Sequence, residues 1–322
     1  MSLPVLNILM SKKGIEDHGL AIEKITPVSW WMLESQADAD GTYPVDVSLT
    51  TRDITGASTK TNVLPALARY YDILLASPKL AWIQAHSAGA DRPIYAELLA
   101  RGVRVTTSSG ANAAPVAHTA VAAVLALGRQ FPVQIASQHK RQYTPMTNHP
   151  KLHDLTGQTA LVVGVGAIGS LIVKYLKALD IKVIGITRSN FLELSQVLPN
   201  VDFLILACPL TAQTKNLVNA SLLAQMKHGS YLVNVARGEV CVEADVIAAL
   251  QSGQLGGAFL DGFEVEPLRA DSPLWSLPNV MLSAHTAGHF TGHSDNVAKI
   301  FIDNLARFVQ GRELLNEVRA NT

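Results

Sequence analysis

Three side chains that can bind an anion or transfer a proton follow predicted strands in the second half of the chain. They are Arg237, Glu266 and His285. A guanidinium group binds carboxylates through a fixed fork of donors, and an imidazole exchanges a proton near neutral pH. Taken singly, these residues are also typical of a surface turn, a loop and a structurally satisfied histidine. Because ligands bind at the carboxyl ends of parallel strands, the three together indicate one site.

A glycine-rich turn between a predicted strand and a predicted helix indicates that a dinucleotide binds near this site. The strand at 159–163 leads into G-x-G-x-x-G, which consists of Gly164, Gly166 and Gly169 with Ala167 and Ile168 inside it. The first glycine permits a tight turn, the second lets the backbone approach a pyrophosphate, and the third lets helix and strand pack closely. The first N–H groups of the helix attract the phosphates. A merely structural turn is the alternative, but the context on both sides favours a nucleotide.

The composition favours a soluble protein over a nucleic-acid-binding or membrane protein. The 322 residues include 26 Lys and Arg against 26 Asp and Glu, so no net basic charge attracts nucleic acid or an anionic surface. No uncharged apolar run reaches the roughly 18 residues of a membrane span. The two cysteines form neither a disulfide framework nor a metal motif, which fits a reducing compartment. We therefore expect a cytoplasmic protein with no metal site and no nucleic-acid or membrane partner.

Short apolar runs alternate with helical patterns along the chain, which predicts an α/β protein with parallel sheets. Four candidate strands lie near 5–10, 45–50, 81–86 and 103–106, and six more between 159 and 283 fit one complete doubly wound sheet. We predict two doubly wound domains, Rossmann-like or flavodoxin-like, with the cofactor cleft between them. Residues 1–105 and 286–322 form the substrate-binding domain, 106–285 form the nucleotide-binding domain, and 138–153 form an extended crossing.

The segment 113–127 predicts a long helix that is apolar on all its faces. Such a helix requires burial on every side. It can lie in a core or bridge domains or subunits, and we expect the protein to be a homodimer.

Taken together, these motifs resemble the D-isomer-specific 2-hydroxyacid dehydrogenase family. The resemblance rests on the glycine loop, N-x-A-R-G, D-x-F-E-x-E-P and the histidine segment. It also rests on Pro209-Leu210-Thr211, on Met226-Lys227 with Gly229, and on Pro273-Leu274-Trp275. It covers nearly the whole chain and is weakest over the first 60 residues. The family implies hydride transfer between a nicotinamide cofactor and a small 2-oxo or D-2-hydroxy acid.

The resemblance implies a catalytic role for each of the three side chains. Arg237 would bridge the substrate carboxylate and carbonyl oxygen, because its planar fork suits that geometry. His285 would be the general acid in reduction and the general base in oxidation. Glu266 would orient the imidazole and raise its pKa.

The resemblance also implies which residues contact the cofactor. Asp261 matches the family's residue that hydrogen-bonds the nicotinamide carboxamide. The remaining positions lie at the glycine loop and at the ends of the following strands: Gly164, Gly166, Ala167, Ile168, Gly169, Thr187, Arg188, Ser189, Cys208, Pro209, Thr214, Val235, Ala236 and Gly288.

In the first domain, Ser87, Ala88 and Gly89 resemble the family's loop whose backbone N–H groups hold the substrate carboxylate. An ordinary turn between strand and helix is the alternative. His86 is within reach of the substrate, but a solvated loop histidine explains it at least as well.

The acidic residue expected about 20 positions after the glycine loop is missing, and the sequence reads Thr187-Arg188-Ser189 instead. A hydroxyl and a guanidinium group suit a 2′-phosphate, so NADP(H) is favoured over NAD(H), although NAD(H) remains possible. The alternative is that Arg188 simply points into water. The segment after it is shorter than in the family. Two further departures are His118 in place of a usual glutamate and His228 in place of a usual proline.

Glyoxylate and hydroxypyruvate are the leading substrates, because an NADP(H) preference favours reduction in cells. Two alternatives remain open. One is a dinucleotide-sensing binding protein similar to the C-terminal-binding corepressors, which keep the same three residues. The other is a dehydrogenase of a bulkier acid such as phosphoglycerate, for which Lys12, Lys13 and Arg52 are the nearby cations.

Overall fold

The chain forms two compact units in the computed structural model, which describes residues 5–58, 62–145, 152 and 154–318. Unit 1 comprises Met1–Asn112 and Phe290–Thr322, and unit 2 comprises Ala113–His289. The sequence predicted domain limits after 105 and after 285. Both lie a few residues before the observed limits, which follow Asn112 and His289. Residues after 105 stay with unit 1 because Thr106 bridges Glu317 and the Thr107 N–H donates to the Asn316 carbonyl at 3.1 Å.

Helices and strands alternate along both units. The strands are β1 (Leu6–Leu9), β2 (Val28–Trp31), β3 (Val47–Leu49), β4 (Trp82–Gln84), β5 (Arg104–Thr106), β6 (Thr159–Val163), β7 (Lys182–Ile186), β8 (Phe203–Leu206), β9 (Ser230–Asn234), β10 (Leu255–Leu260) and β11 (Val280–Leu282). The helices are α1 (Lys12–Glu23), α2 (Arg52–Thr55), α3 (Pro65–Leu75), α4 (Pro93–Ala100), α5 (Ala113–Gly128), α6 (Phe131–His139), α7 (Ala167–Lys177), α8 (Leu194–Val197), α9 (Ala220–Leu223), α10 (Glu243–Ser252) and α11 (His293–Val309).

Unit 1 contains a parallel sheet in the order β2-β1-β3-β4-β5, which is the flavodoxin-like order. Its inner strands are apolar runs, and the stacked rings of Trp82 and Phe301 join the sheet to α11 with centroids 5.0 Å apart. The sequence did not predict β2. This strand lies at the sheet edge and its four residues are only half-buried, so it lacks the continuous apolar run of the inner strands.

Unit 2 contains a parallel sheet in the order β11-β10-β9-β8-β6-β7. All six predicted strands are present, and the α/β class with doubly wound parallel sheets is confirmed. The connection from β7 to β8, residues 187–202, contains only short helical turns, so β7 is the edge strand. The segment after Arg188, which the sequence showed to be short, therefore adds no further strand beside β7.

The apolar helix α5 is buried largely by its own unit, where it packs against α7 and β9.

The two histidines that depart from the family pattern both have neighbours in unit 2. His118 on α5 packs against Tyr175 with ring centroids 5.4 Å apart, and the His228 ring comes within about 4.0 Å of the Cβ position at Gly253. Of the expected crossing at 138–153, residues 138–139 end α6 instead, and 146–151 and 153 lie outside the described residues.

Within the described ranges, no single helix has both the length and the apolar character to cross a membrane. Only α5 and α6 taken together would meet that measure, and they are bent by 72° at the break between them.

Candidate active site

The glycine loop lies where the strand order of unit 2 reverses, between β6 and β8. Gly164 has a φ of +95°, and a Cβ atom there would come within 2.5 Å of the Cys208 backbone. Gly169 packs directly on the Gly164 carbonyl, so a side chain there would overlap it. At Gly166, by contrast, no atom of the described chain lies within 4 Å of the Cβ position. This exposed cradle at the start of α7 fits the pyrophosphate of a dinucleotide.

The end of β7 carries the three residues expected near the adenosine ribose. The Thr187 N–H and hydroxyl both donate to Asn190 Oδ1, at 2.7 and 2.9 Å, and Thr187 Oγ1 lies 2.8 Å from Ser189 Oγ. Arg188 is exposed, and its guanidinium group has no hydrogen-bond or ion-pair partner among the described residues. Asn190, which sequence reasoning missed, fixes this turn. Its only sequence signal is its spacing of three residues from the capping Thr187.

The residues predicted after β8 form a closed turn. Thr214 Oγ1 donates to the Pro209 carbonyl at 2.7 Å and accepts from the Thr211 N–H at 2.8 Å. Burial raises the pKa of the neighbouring Cys208 thiol to about 11, so it stays protonated at neutral pH. Cys208 can therefore line a cofactor site but not act as a nucleophile there.

Arg237 lies in the loop after β9, which is held by a buried asparagine. Asn234 Nδ2 donates to the Arg237 carbonyl at 3.0 Å, while Asn234 Oδ1 accepts from the Ala236 N–H at 3.0 Å. The sequence motif included Asn234, but no role was predicted for it. The two hydrogen bonds of Asn234 to the backbone fix the loop, which also contains Val235. Within this loop, Arg237 Nη1 donates to the Ala236 carbonyl at 2.9 Å.

The loops after β9 and β10 approach each other closely at two glycines. A Cβ atom at Gly238 would overlap the carbonyl group of Phe263. A Cβ atom at Gly262 would lie 3.3 Å from both the Gly238 nitrogen and Glu266 Oε1. Because the two backbones touch here, Arg237 and Glu266 come from separate strands to one region of unit 2.

His285 and Glu266 form an ion pair at this region. His285 Nδ1 lies 3.0 Å from both Oε1 and Oε2 of Glu266, and Glu266 Oε1 also accepts from the Phe263 N–H at 3.2 Å. The side chains of His285 and Glu266 are 46% and 41% exposed within the described chain, so both are accessible to a substrate. Since Nδ1 is engaged, Nε2 is the imidazole atom that can exchange a proton with a ligand.

The electrostatics of the pair favour a charged imidazole. The hydrogen bond and negative charge of Glu266 raise the pKa of His285 above its usual value, although burial and the nearby Arg237 charge oppose this. For Glu266, burial favours the neutral acid, but the His285 hydrogen bond and charge, with a contribution from Arg237, lower its pKa. Glu266 and Arg237 thus both lie close enough to His285 to affect its ionisation.

Asp261 anchors the backbone that carries His285. Its buried Oδ1 accepts from the Thr286 N–H at 2.8 Å, from the Ala287 N–H at 3.1 Å and from the Ser283 hydroxyl. Its own carbonyl accepts from the His285 N–H at 2.8 Å. His285 has a φ of +54°, a left-handed conformation that these contacts stabilise. Asp261 therefore positions the turn at residues 283–288, the histidine turn, which contains His285 and Gly288. The sequence did not predict this positioning role for Asp261.

The loop predicted to hold the substrate carboxylate lies in unit 1, directly after β4. Ser87 Oγ donates to the Gly89 carbonyl at 2.6 Å, and the Ser87 carbonyl accepts from the Ser108 N–H at 2.9 Å. Ser87 and Ala88 are exposed. His86 is buried and packs edge-to-face against His293, with ring centroids 4.7 Å apart, so it is not a solvated loop residue.

Comparison with known proteins connects this geometry to one family. Residues 121–287 match the model of the NAD-binding domain of D-isomer specific 2-hydroxyacid dehydrogenases. Glyoxylate/hydroxypyruvate reductase B of Citrobacter koseri is 34% identical, over 73% of this chain and 76% of its own length. Glyoxylate reductase of Korarchaeum cryptofilum is 30% identical, over 74% and 76%.

A solved structure agrees over almost the whole chain. The D-isomer specific 2-hydroxyacid dehydrogenase of Xanthobacter autotrophicus, crystallised with NADPH and MES, is 27% identical with a TM-score of 0.74 and covers 97% of this chain and 98% of its own. The glycine cradle fits the nicotinamide dinucleotide that such enzymes use. The protein is therefore an NAD(P)-dependent oxidoreductase and belongs to the D-isomer specific 2-hydroxyacid dehydrogenase family.

Proposed function

We propose that the protein reduces a small 2-oxo acid, glyoxylate or hydroxypyruvate, with NADPH as the hydride donor. The observation that carries the proposal is the His285–Glu266 pair, in which Nδ1 lies 3.0 Å from both carboxylate oxygens beside the charge of Arg237. The glyoxylate reductases among the relatives support the choice of substrate.

The nicotinamide, when bound, supplies a hydride to the carbonyl carbon of the substrate. Arg237 binds the substrate carboxylate and polarises the carbonyl oxygen. His285 donates a proton from Nε2 to the developing alkoxide, while Glu266 keeps the ring oriented and charged. The backbone N–H groups of residues 87–89 provide further donors for the carboxylate.

The proposed cofactor contacts follow the strand ends of unit 2. The glycine loop, residues 164–169, holds the pyrophosphate, and Thr187, Arg188 and Ser189 hold the adenosine ribose phosphate. Asp261 contacts the carboxamide in addition to its hydrogen bonds to the histidine turn. The remaining positions line the site: Cys208, Pro209, Thr214, Val235, Ala236 and Gly288.

The preference for NADPH rests on the end of β7, where an exposed and uncommitted Arg188 stands beside two hydroxyls and no carboxylate occupies residues 186–190. Support comes from the NADPH-bound relative. Arg188→Ala should weaken NADPH binding by about tenfold or more, as expected for a charged hydrogen bond, and leave NADH unchanged. Lys182→Ala, which removes an exposed cation at the opposite end of β7, is the matched control. Equal weakening of both cofactors would contradict the 2′-phosphate assignment.

An initial-rate panel of 2-oxo acids with NADPH and NADH tests the proposed function. We expect glyoxylate and hydroxypyruvate to give the highest kcat/KM, and larger acids to give lower values. If neither cofactor is oxidised with any acid in the panel, the proposed function is wrong, and a dinucleotide-sensing binding protein becomes the better explanation.

We also propose that the protein is a cytoplasmic homodimer. Phe131 and Ile135 are each about half exposed on α6, a helix with no buried residue, and this apolar face suits a second copy of the chain. Sedimentation should give twice the chain mass of 34.5 kDa, and Ile135→Lys should shift the protein towards monomer. A monomer at all concentrations would contradict this.

A further inference from the structure

Two amide side chains are buried in the core of unit 1, where apolar residues would pack at lower cost. Gln84 is the last residue of β4 and Asn304 lies in α11, and both are 0% exposed. A buried amide destabilises a protein unless its donors and its acceptor are all bonded. The hydrogen bonds of this pair lead to residues 87–89, the substrate loop, to which the proposed function assigns the substrate carboxylate.

The pair connects the end of the chain to the centre of the sheet. Asn304 Oδ1 accepts from the Leu315 N–H at 2.7 Å, and Nδ2 donates to the Leu315 carbonyl at 3.1 Å and to Gln84 Oε1 at 3.4 Å. Gln84 Nε2 in turn donates to Ser108 Oγ at 3.2 Å and to the Val297 carbonyl at 3.0 Å. Each amide thus uses both N–H bonds and its oxygen, so neither side chain can rotate without losing hydrogen bonds.

Ser108, which is also buried, transmits this arrangement to the substrate loop. Its hydroxyl donates to the Ala85 carbonyl at 2.7 Å, and its N–H donates to the Ser87 carbonyl at 2.9 Å. Because a peptide group is planar and trans, a fixed Ser87 carbonyl also fixes the Ala88 N–H, which points the opposite way. Ala88 is exposed. Ser108 therefore sets the direction of a backbone donor at the surface of the loop.

The segment around Ser108 is held by the same end of the chain that binds Asn304. Asn316 Nδ2 donates to the Ser109 carbonyl at 2.8 Å and to the Thr107 carbonyl at 3.3 Å. Asn316 has a φ of +56°, a left-handed conformation that asparagine tolerates better than most residues. Both neighbours of Ser108 are thus bound to the residue that follows Leu315, so the position of Ser108 depends on the last part of the chain.

We propose that Gln84, Ser108 and Asn304 are positioning residues, which orient the backbone donors of the substrate loop towards the carboxylate of the 2-oxo acid. The inference rests on the proposed function, because that function places the carboxylate at this loop. None of the three residues is among those proposed for catalysis or cofactor binding. Their loss should therefore weaken binding of the 2-oxo acid and spare both the proton transfer and the affinity for NADPH.

Steady-state kinetics with glyoxylate give the first test. Gln84→Met keeps the shape of the side chain, and Ser108→Ala removes only a hydroxyl. Each should raise KM for glyoxylate about three- to tenfold, the effect of one hydrogen bond, with kcat and NADPH affinity unchanged. The double variant should raise KM no further than the stronger single variant, because the two residues act in one chain of hydrogen bonds.

Thr106→Val is the control for a loss of stability alone. It removes another buried hydrogen bond of the same sheet, which Trp82 Nε1 donates to Thr106 Oγ1 at 2.9 Å, and it should leave KM unchanged. An equal rise of KM in Thr106→Val, an unchanged KM in Ser108→Ala, or a fall in kcat without a change in KM would overturn the proposal.

Amide NMR of the full-length protein without ligands tests the positioning separately from turnover. Asn304→Leu lies in α11, away from the loop in the network, and should shift the N–H signals of Ala88 and Gly89, whereas Thr106→Val should not. Unmoved signals in Asn304→Leu would overturn the proposal. If wild type reduces no 2-oxo acid, the proposed function fails, and these signals still decide whether the buried network orients the loop.

Discussion

Glu266→Gln removes the negative charge that faces His285 while it keeps the size of the side chain and an oxygen acceptor. A hydrogen bond to a charged group contributes about 1.5–3 kcal/mol. His285 and Glu266 are 46% and 41% exposed, so solvent screening places this pair near the lower limit. About 1.5 kcal/mol corresponds to roughly a tenfold loss of kcat/KM for 2-oxo acid reduction at neutral pH.

The pH profile of kcat/KM for glyoxylate reduction is the decisive assay, because it reports the ionisation of the free enzyme. Reduction requires protonated His285, so the rate should fall as pH rises through the raised pKa of this residue. Without the Glu266 charge that pKa drops, and the fall should begin at lower pH in Glu266→Gln. Glu264→Gln, in the same loop, should keep the wild-type profile. Superimposable profiles for Glu266→Gln and wild type would refute the reasoning.

Three further substitutions test other parts of the site. His285→Gln should lower kcat for reduction about 10²–10⁴-fold while fluorescence titration gives unchanged NADPH affinity; an active variant would remove the general acid from the mechanism. Asn234→Ala should raise KM for the 2-oxo acid, because the Arg237 loop loses two backbone hydrogen bonds, and a wild-type KM would speak against positioning. Asp261→Ala should lower the free energy of unfolding in urea by about 2 kcal/mol, because the buried Ala287 N–H and the partly buried Thr286 N–H lose their acceptor; an unchanged midpoint would contradict that role.

The candidate site in unit 2 was largely predictable because its signals are local. β6 lies at the predicted residues 159–163, and the glycine turn follows it directly. Arg237, Glu266 and His285 each follow a strand that an apolar run marks clearly. The order of parallel strands then brings their carboxyl ends to one edge, so a reader of the sequence can expect the three side chains to meet.

The features that the sequence did not predict depend on contacts between distant or weakly patterned residues. β2 and α1 lack clear signals, because β2 is half-buried and α1 carries Gly14 and Gly19 within a charged pattern. Asn190 and Asn234 act by hydrogen bonds to backbone groups, which composition does not indicate.

The most direct test of hydride transfer uses NADPH that carries deuterium at both C4 positions of the nicotinamide ring. Purified protein, this cofactor and glyoxylate should give glycolate with one deuterium on its hydroxyl-bearing carbon, detected by mass spectrometry. Glycolate without deuterium, or unchanged glyoxylate after prolonged incubation, would contradict the proposal that this protein is a 2-oxo acid reductase.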